Sequence, residues 1–200
     1  MLQKGIVRNR SVGIGVFTLM MLMVPGPSDP LYAKDLSLTV YGGRMTDGNY
    51  GKALSKNVEF VDAYILVVAL AWTAGRYFDD ALQLEVEVQI GKYFGEQDNF
   101  EFNLPVIGRW QRFPWNSAVA TSFAFGLGLS YATEEPEVEK MTHDGITEQL
   151  LAYWVAEITL GPPESIWAVV LRLHHRSTAF GLFAETGGSN TFAAGLKFRF

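Results

Sequence analysis

The stretch "LRLHHRSTAFGLFAETGGSN", Leu171 to Asn190, holds the residues of this chain best suited to chemistry. His175 and Ser177 stand two apart, which on a β-strand means one face and about 6.5 Å between Cα atoms. An imidazole reaches a hydroxyl over that separation with suitable rotamers. Such a pair performs nucleophilic acyl chemistry: the imidazole takes the serine proton and later returns one to the leaving alcohol. A third group must hold the imidazole in the right tautomer. Asn190 and Glu185 are the two candidates. Backbone amides near Thr178 and Ala179 would have to stabilise the oxyanion. The same His-x-Ser spacing also suits two polar residues at the rim of a strand with no chemistry attached. The Gly-x-Ser-x-Gly elbow that soluble esterases place between strand and helix does not occur.

The elements that must carry these residues are written with period two. In "LQLEVEVQI", Leu82, Leu84, Val86, Val88 and Ile90 take one face, and Gln83, Glu85, Glu87 and Gln89 the other. Eight such segments are expected, at 35–44, 60–74, 81–93, 99–110, 117–132, 148–160, 166–178 and 190–200. "FEFNLPV" puts Phe100, Phe102, Leu104 and Val106 together; "VATSFAFGLGLSY" sets Val119, Phe123, Phe125, Leu127, Leu129 and Tyr131 against small Ala and Gly. The last segment aligns Phe192, Ala194, Leu196, Phe198 and Phe200 opposite Lys197 and Arg199. The links at 43–59, 133–147 and 179–189 are long, with 94–98 a short exception, and those at 75–80, 111–116 and 161–165 are short. Apolar-out strands with alternating short and long links predict an all-β, eight-stranded antiparallel transmembrane β-barrel. Trp72, Trp110, Trp115, Trp154 and Trp167 fall near expected strand ends, where aromatic girdles form.

Composition narrows the setting. The chain has 200 residues, 48% of them hydrophobic, yet no uninterrupted apolar run of about 20 residues follows residue 33, as helical spans would require. It has no cysteine, so neither a disulfide framework nor a thiolate metal site is available to it. Residues 1–33 read as a signal peptide: Lys4, Arg8 and Arg10, an apolar core at Val12–Val24, and "PGPSDPLYA" ending in Ala33. The barrel then occupies 34–200. Losing those three cations and Asp29 takes the formal charge from −5 to −7. An acidic chain gives no support for nucleic-acid binding, which needs a basic face. An exported chain without cysteine fits the bacterial outer membrane.

Parity then places the chemistry. Trp167, Val169, Leu171 and Leu173 define a lipid-facing side, and His175 and Ser177 continue it. Asn190 shares parity with Phe192 and would face outward beside His175. Arg172, His174 and Arg176 point inward and are expected to form a polar network with Glu85, Glu87 or Glu157. The acidic "TEEPEVEK" (Thr133–Lys140), His143 in "KMTHDG" and "YGGRMTDGNYGK" (Tyr41–Lys52) are expected to be loop segments, the first two solvated. No metal site is expected.

An eight-stranded barrel with an outward His-x-Ser at the top of its penultimate strand, followed by a Gly-containing hairpin loop, resembles the lipid A 3-O-deacylase (PagL) family. At motif level the resemblance covers about the last 35 residues. It implies an outer-membrane hydrolase of lipopolysaccharide with Ser177 as nucleophile and His175 as base, working without a cofactor. The family's oxyanion asparagine falls at Thr178, and its acid at Ser189 or Asn190. The alternatives are a non-catalytic eight-stranded barrel with a structural or surface-interaction role and, more remotely, a lipocalin-like carrier with its apolar faces turned inward.

Overall fold

The computed structural model describes residues 35–47 and 58–200. The expected signal segment lies outside the described residues, as does most of the first long link. Eight strands form one closed antiparallel barrel, each paired with its sequence neighbours and the last with the first. They are β1 (Leu36–Thr46), β2 (Phe60–Tyr77), β3 (Leu82–Gly95), β4 (Phe100–Trp110), β5 (Ala120–Ala132), β6 (Leu150–Gly161), β7 (Trp167–Ser177) and β8 (Gly188–Arg199). Among the described residues no helix is long and apolar enough to cross a membrane. Closure leaves no sheet edge, so the ladders satisfy the backbone polar groups of all eight strands.

The strand bounds differ from the sequence reading by one or two residues at most ends, so that Tyr41–Thr46 belong to β1 rather than to a loop; they differ by three at two ends, and one link differs in kind. β2 continues to Tyr77, past a register shift between Thr73 and Gly75, and pairs with the start of β3. β5 begins only at Ala120, because Ala118 and Val119 donate back to the Trp115 carbonyl in a tight turn. The link expected to be an extended solvated loop, 133–147, contains a short helix, α1 (Glu137–Thr142).

The outer surface is apolar along each strand. Leu66, Val68, Leu70, Val88, Ile90, Leu104, Val106, Leu127, Leu129 and Leu171 are all exposed there. Trp72, Trp110, Trp115 and Trp167 ring the end with the short links, and all are exposed.

Ion pairs cross the interior. Arg109 meets Glu85 (Nε–Oε1 2.8 Å) and Glu157 (Nη2–Oε1 2.7 Å). Arg172 meets Glu87 at 2.8 Å across the barrel and Glu157 on the neighbouring strand. Lys197 adds a contact to Glu85 at 3.3 Å. A charge in a barrel this narrow is tolerable because each one faces its opposite, and hydrogen bonds complete the set. Apolar parity outward and ion pairs inward exclude the lipocalin-like arrangement.

Helix α1 closes the end with the long links. Its Val138 packs on Tyr41, Met45, Ala63, Ile65 and Tyr93 inside the barrel mouth. Its Glu139 is fully buried, so the acidic run is not the solvated loop expected from its composition. Glu135 and Glu137 do face solvent and pair with Lys140.

An apolar surface of this kind should face lipid rather than a second sheet. Leu127 is 61% exposed in the middle of β5. Leu127→Arg should therefore lower the stability of the vesicle-folded barrel by about 2–4 kcal/mol, read from denaturant unfolding.

Candidate active site at the outer end of β7

β7 ends with two residues of each parity. Arg172, His174 and Arg176 point into the barrel and are buried; His175 and Ser177 are on the opposite face. The inward set is held by named partners. His174 Nε2 lies 2.7 Å from Glu101 Oε1, and its Nδ1 is 3.0 Å from the Tyr41 hydroxyl and 3.1 Å from that of Tyr153. Arg176 meets Glu139 of α1 at 2.8 Å and donates to Ser130 and the Glu148 carbonyl. The expected network through Glu87 and Glu157 is formed by Arg172. Glu101 and Glu139, which serve His174 and Arg176, are additions that parity alone did not identify.

The outward set is built by the β7 pairings. His175 sits opposite Asn190 on β8 and opposite Trp154 on β6. His175 Nδ1 is 2.7 Å from Asn190 Oδ1. With that oxygen accepting, Nδ1 carries the proton and Nε2 keeps its lone pair. The Trp154 ring lies against the imidazole with centroids 4.6 Å apart, and Phe125 backs the indole at 5.9 Å. His175 is only 7% exposed as a result. Trp154 is thus part of the site rather than of a girdle. Sequence reading missed it because only the β6–β7 register brings it there.

Ser177 stands two residues beyond His175 on the same face, beside Ala152 of β6 and Gly188 of β8. Small neighbours leave the hydroxyl half-buried and approachable. Ser177 Oγ accepts the Ala179 N–H at 3.1 Å. The chain reaches that geometry through two consecutive non-glycine residues in the left-handed region, Ala179 (φ 50) and Phe180 (φ 58). Thr178 precedes them, and its carbonyl accepts the Phe183 N–H at 3.1 Å. Phe180 and Leu182 are fully exposed on the loop. Glu185 is exposed on the same loop. Of the two candidates to orient His175, Asn190 is the one the structure places in hydrogen-bond contact.

Among the described residues no group of three or more His, Asp or Glu side chains is arranged to hold a metal ion. His143 is half-buried beside α1, where its Nδ1 lies 2.9 Å from the Glu139 carbonyl oxygen.

No protein-family model matches the sequence, and no curated protein is similar to it in sequence. Among solved structures, the chain is similar to the outer membrane enzyme PagL, with a TM-score of 0.61 and 11% identity over 82% of this chain and 99% of that one. It also aligns with Neisserial surface protein A (NspA) over 82% of this chain and 97% of that one, at a TM-score of 0.49 and 8% identity. At such identities the likeness to PagL is one of fold: a closed eight-stranded barrel of the outer-membrane type.

Gly188 fixes how β8 starts against the site. Its φ is +110°, and a Cβ there would lie 2.6 Å from the Arg176 carbonyl oxygen. Gly188→Ala should cost about 1–3 kcal/mol through strain at a conformation closed to side chains. A fall in the unfolding midpoint of the refolded barrel would measure it.

Proposed function

We propose that this protein is an outer-membrane ester hydrolase whose Ser177 removes the 3-O-linked hydroxyacyl chain of lipid A. The observation that carries the reading is the 2.7 Å bond from His175 to Asn190, made on the lipid-facing side two residues from a serine. That bond fixes a tautomer with Nε2 available as a base toward Ser177. The site lies on the outer face of the barrel, at the end with the long links, so an acyl chain in the membrane meets it directly. The fold it shares with PagL and the His-x-Ser motif together favour lipid A as the substrate.

The chemistry then follows in two halves. His175 Nε2 takes the proton of Ser177, two residues along the same face, as Oγ attacks the ester carbonyl. The oxyanion forms beside the Ala179 N–H, already 3.1 Å from Ser177 Oγ, with the Thr178 amide next to it. Collapse breaks the ester C–O bond, and the imidazolium protonates the departing sugar 3-hydroxyl. Water, deprotonated by His175, then attacks the acyl carbonyl; the acyl–Oγ bond breaks, the imidazolium returns its proton to Ser177 Oγ, and a 3-hydroxy fatty acid leaves. No step requires a metal or a cofactor.

A second reading has one observation in its favour. The partner of His175 is a neutral amide, which orients an imidazole but does not neutralise an imidazolium as a carboxylate does. Under that reading the chain is a non-catalytic barrel with a structural or surface role.

Mass spectrometry of lipid A from detergent-solubilised lipopolysaccharide separates the two. The refolded protein should remove one 3-hydroxyacyl chain, and Ser177→Ala should lower the rate by roughly a thousandfold or more. Deacylation that survives Ser177→Ala would end the hydrolase reading. No mass loss with wild-type protein shown to be folded by its heat-modifiable gel migration would favour the non-catalytic barrel. Asn190→Asp should raise kcat by about tenfold or more, because a carboxylate stabilises the imidazolium formed on attack.

A further inference from the structure

Three residues of the site flank two others that point the opposite way. Arg176 stands between His175 and Ser177, and Ser189 directly precedes Asn190. Both reach the same carboxylate inside the barrel. Glu139 Oε1 lies 2.8 Å from Arg176 Nε and accepts the Ser189 hydroxyl at 2.8 Å. Its other oxygen accepts Thr147 Oγ1 at 2.6 Å. Glu139, Arg176 and Ser189 are all buried. Glu139 is thus a clamp between the ends of β7 and β8, at the rung next to the one that pairs His175 with Asn190. It belongs to neither strand. It is carried by α1, which is anchored independently by Val138 in the core of the barrel mouth.

We propose that Glu139 is a positioning residue for the Ser177 site, holding β7 and β8 together so that His175 Nδ1 meets Asn190 Oδ1. The inference rests on the hydrolase reading for its consequence in catalysis, but not for its geometry. The two strands end one rung beyond the clamp: Ser177 pairs with Gly188, and the loop follows. Strand ends fray where few contacts hold them. Here an ion pair with Arg176 and a hydroxyl bond from Ser189 converge on one anchored carboxylate oxygen. A misplacement of about 1 Å at a reacting pair is enough to cost roughly a hundredfold in rate.

Glu139→Gln tests this with little change of shape. The amide can still accept from Ser189 but loses the ion pair with Arg176. Arg176 keeps Glu101 Oε2 at 3.6 Å and the carbonyls of Glu148 and Gln149, so the barrel should still fold. Ser189→Ala removes only the β8 arm and serves as the second variant. Two readouts are taken on detergent-solubilised protein of heat-modifiable migration. The first is deacylation: kcat should fall roughly tenfold to a hundredfold in Glu139→Gln, and less in Ser189→Ala, with KM nearly unchanged. The second needs no turnover. The His175 Nδ1–H proton, assigned in the NMR spectrum by its loss in His175→Gln, should exchange faster or disappear in both variants. Glu139→Asp should recover part of both signals. If wild-type protein shows no hydrolysis, the hydrolase reading fails and the proton resonance alone decides the role of Glu139. An unchanged resonance in Glu139→Gln and Ser189→Ala would overturn the proposal, as would a loss of activity expressed only in KM.

Discussion

The ion pairs inside the barrel decide what lies outside it. A β-strand gives each residue one of two faces, and a slip of one residue exchanges them all. Arg172 of β7 spans the interior to Glu87 of β3 and meets Glu157 of β6 on its way. None of these three groups could be turned toward lipid without severe desolvation. With Arg172 fixed inward, Leu171, Leu173, His175 and Ser177 are fixed outward. The same holds for β8, where Lys197 reaches Glu85 and so sets the parity that carries Asn190. The outward placement of the candidate site is therefore a consequence of charge matching in the interior, several residues away along each strand.

That logic explains what was legible in the sequence. Parity is a property of single strands, so it can be read without knowing partners. It yielded eight strands, the inward Arg172, His174 and Arg176, and an outward line of His175, Ser177 and Asn190. Register is a property of pairs, and it depends on where each link begins and ends. The β6–β7 register sets Trp154 against His175, and no feature of Trp154 in the sequence marks it as different from the four tryptophans of the girdle. The choice between Asn190 and Glu185 had the same origin. Both are near in sequence, but only Asn190 is on a strand rung with His175.

The 133–147 segment failed for another reason. Composition reads a run of acids as solvated, because burying any one of them is costly. Glu135 and Glu137 obey that rule. Glu139 does not, because Arg176, Thr147 and Ser189 await it. Those partners come from β7, from the end of the same link and from β8. A helix of six residues is also too short to show a periodicity, and its inward pair, Val138 and Glu139, is one apolar and one charged residue. The inward Arg176 was the one signal available, but three interior glutamates of the strands were already expected to serve it and its neighbours, so nothing pointed to an anion from the link.

The neutral third residue fits its surroundings better than an acid would. Asn190 is buried, with its neighbour of the same parity, Phe192, on the apolar surface. An ionised carboxylate in that position would be desolvated and uncompensated beside a neutral imidazole. The amide avoids that penalty and still fixes the tautomer. What it does not supply is a negative charge to meet the imidazolium. The carboxylate that meets Arg176 and Ser189, Glu139, lies on the inner side of the same two strands. Asn190 holds the His175 imidazole on the lipid side, while the charge that meets Ser189 and Arg176 stays inside, where a guanidinium compensates it.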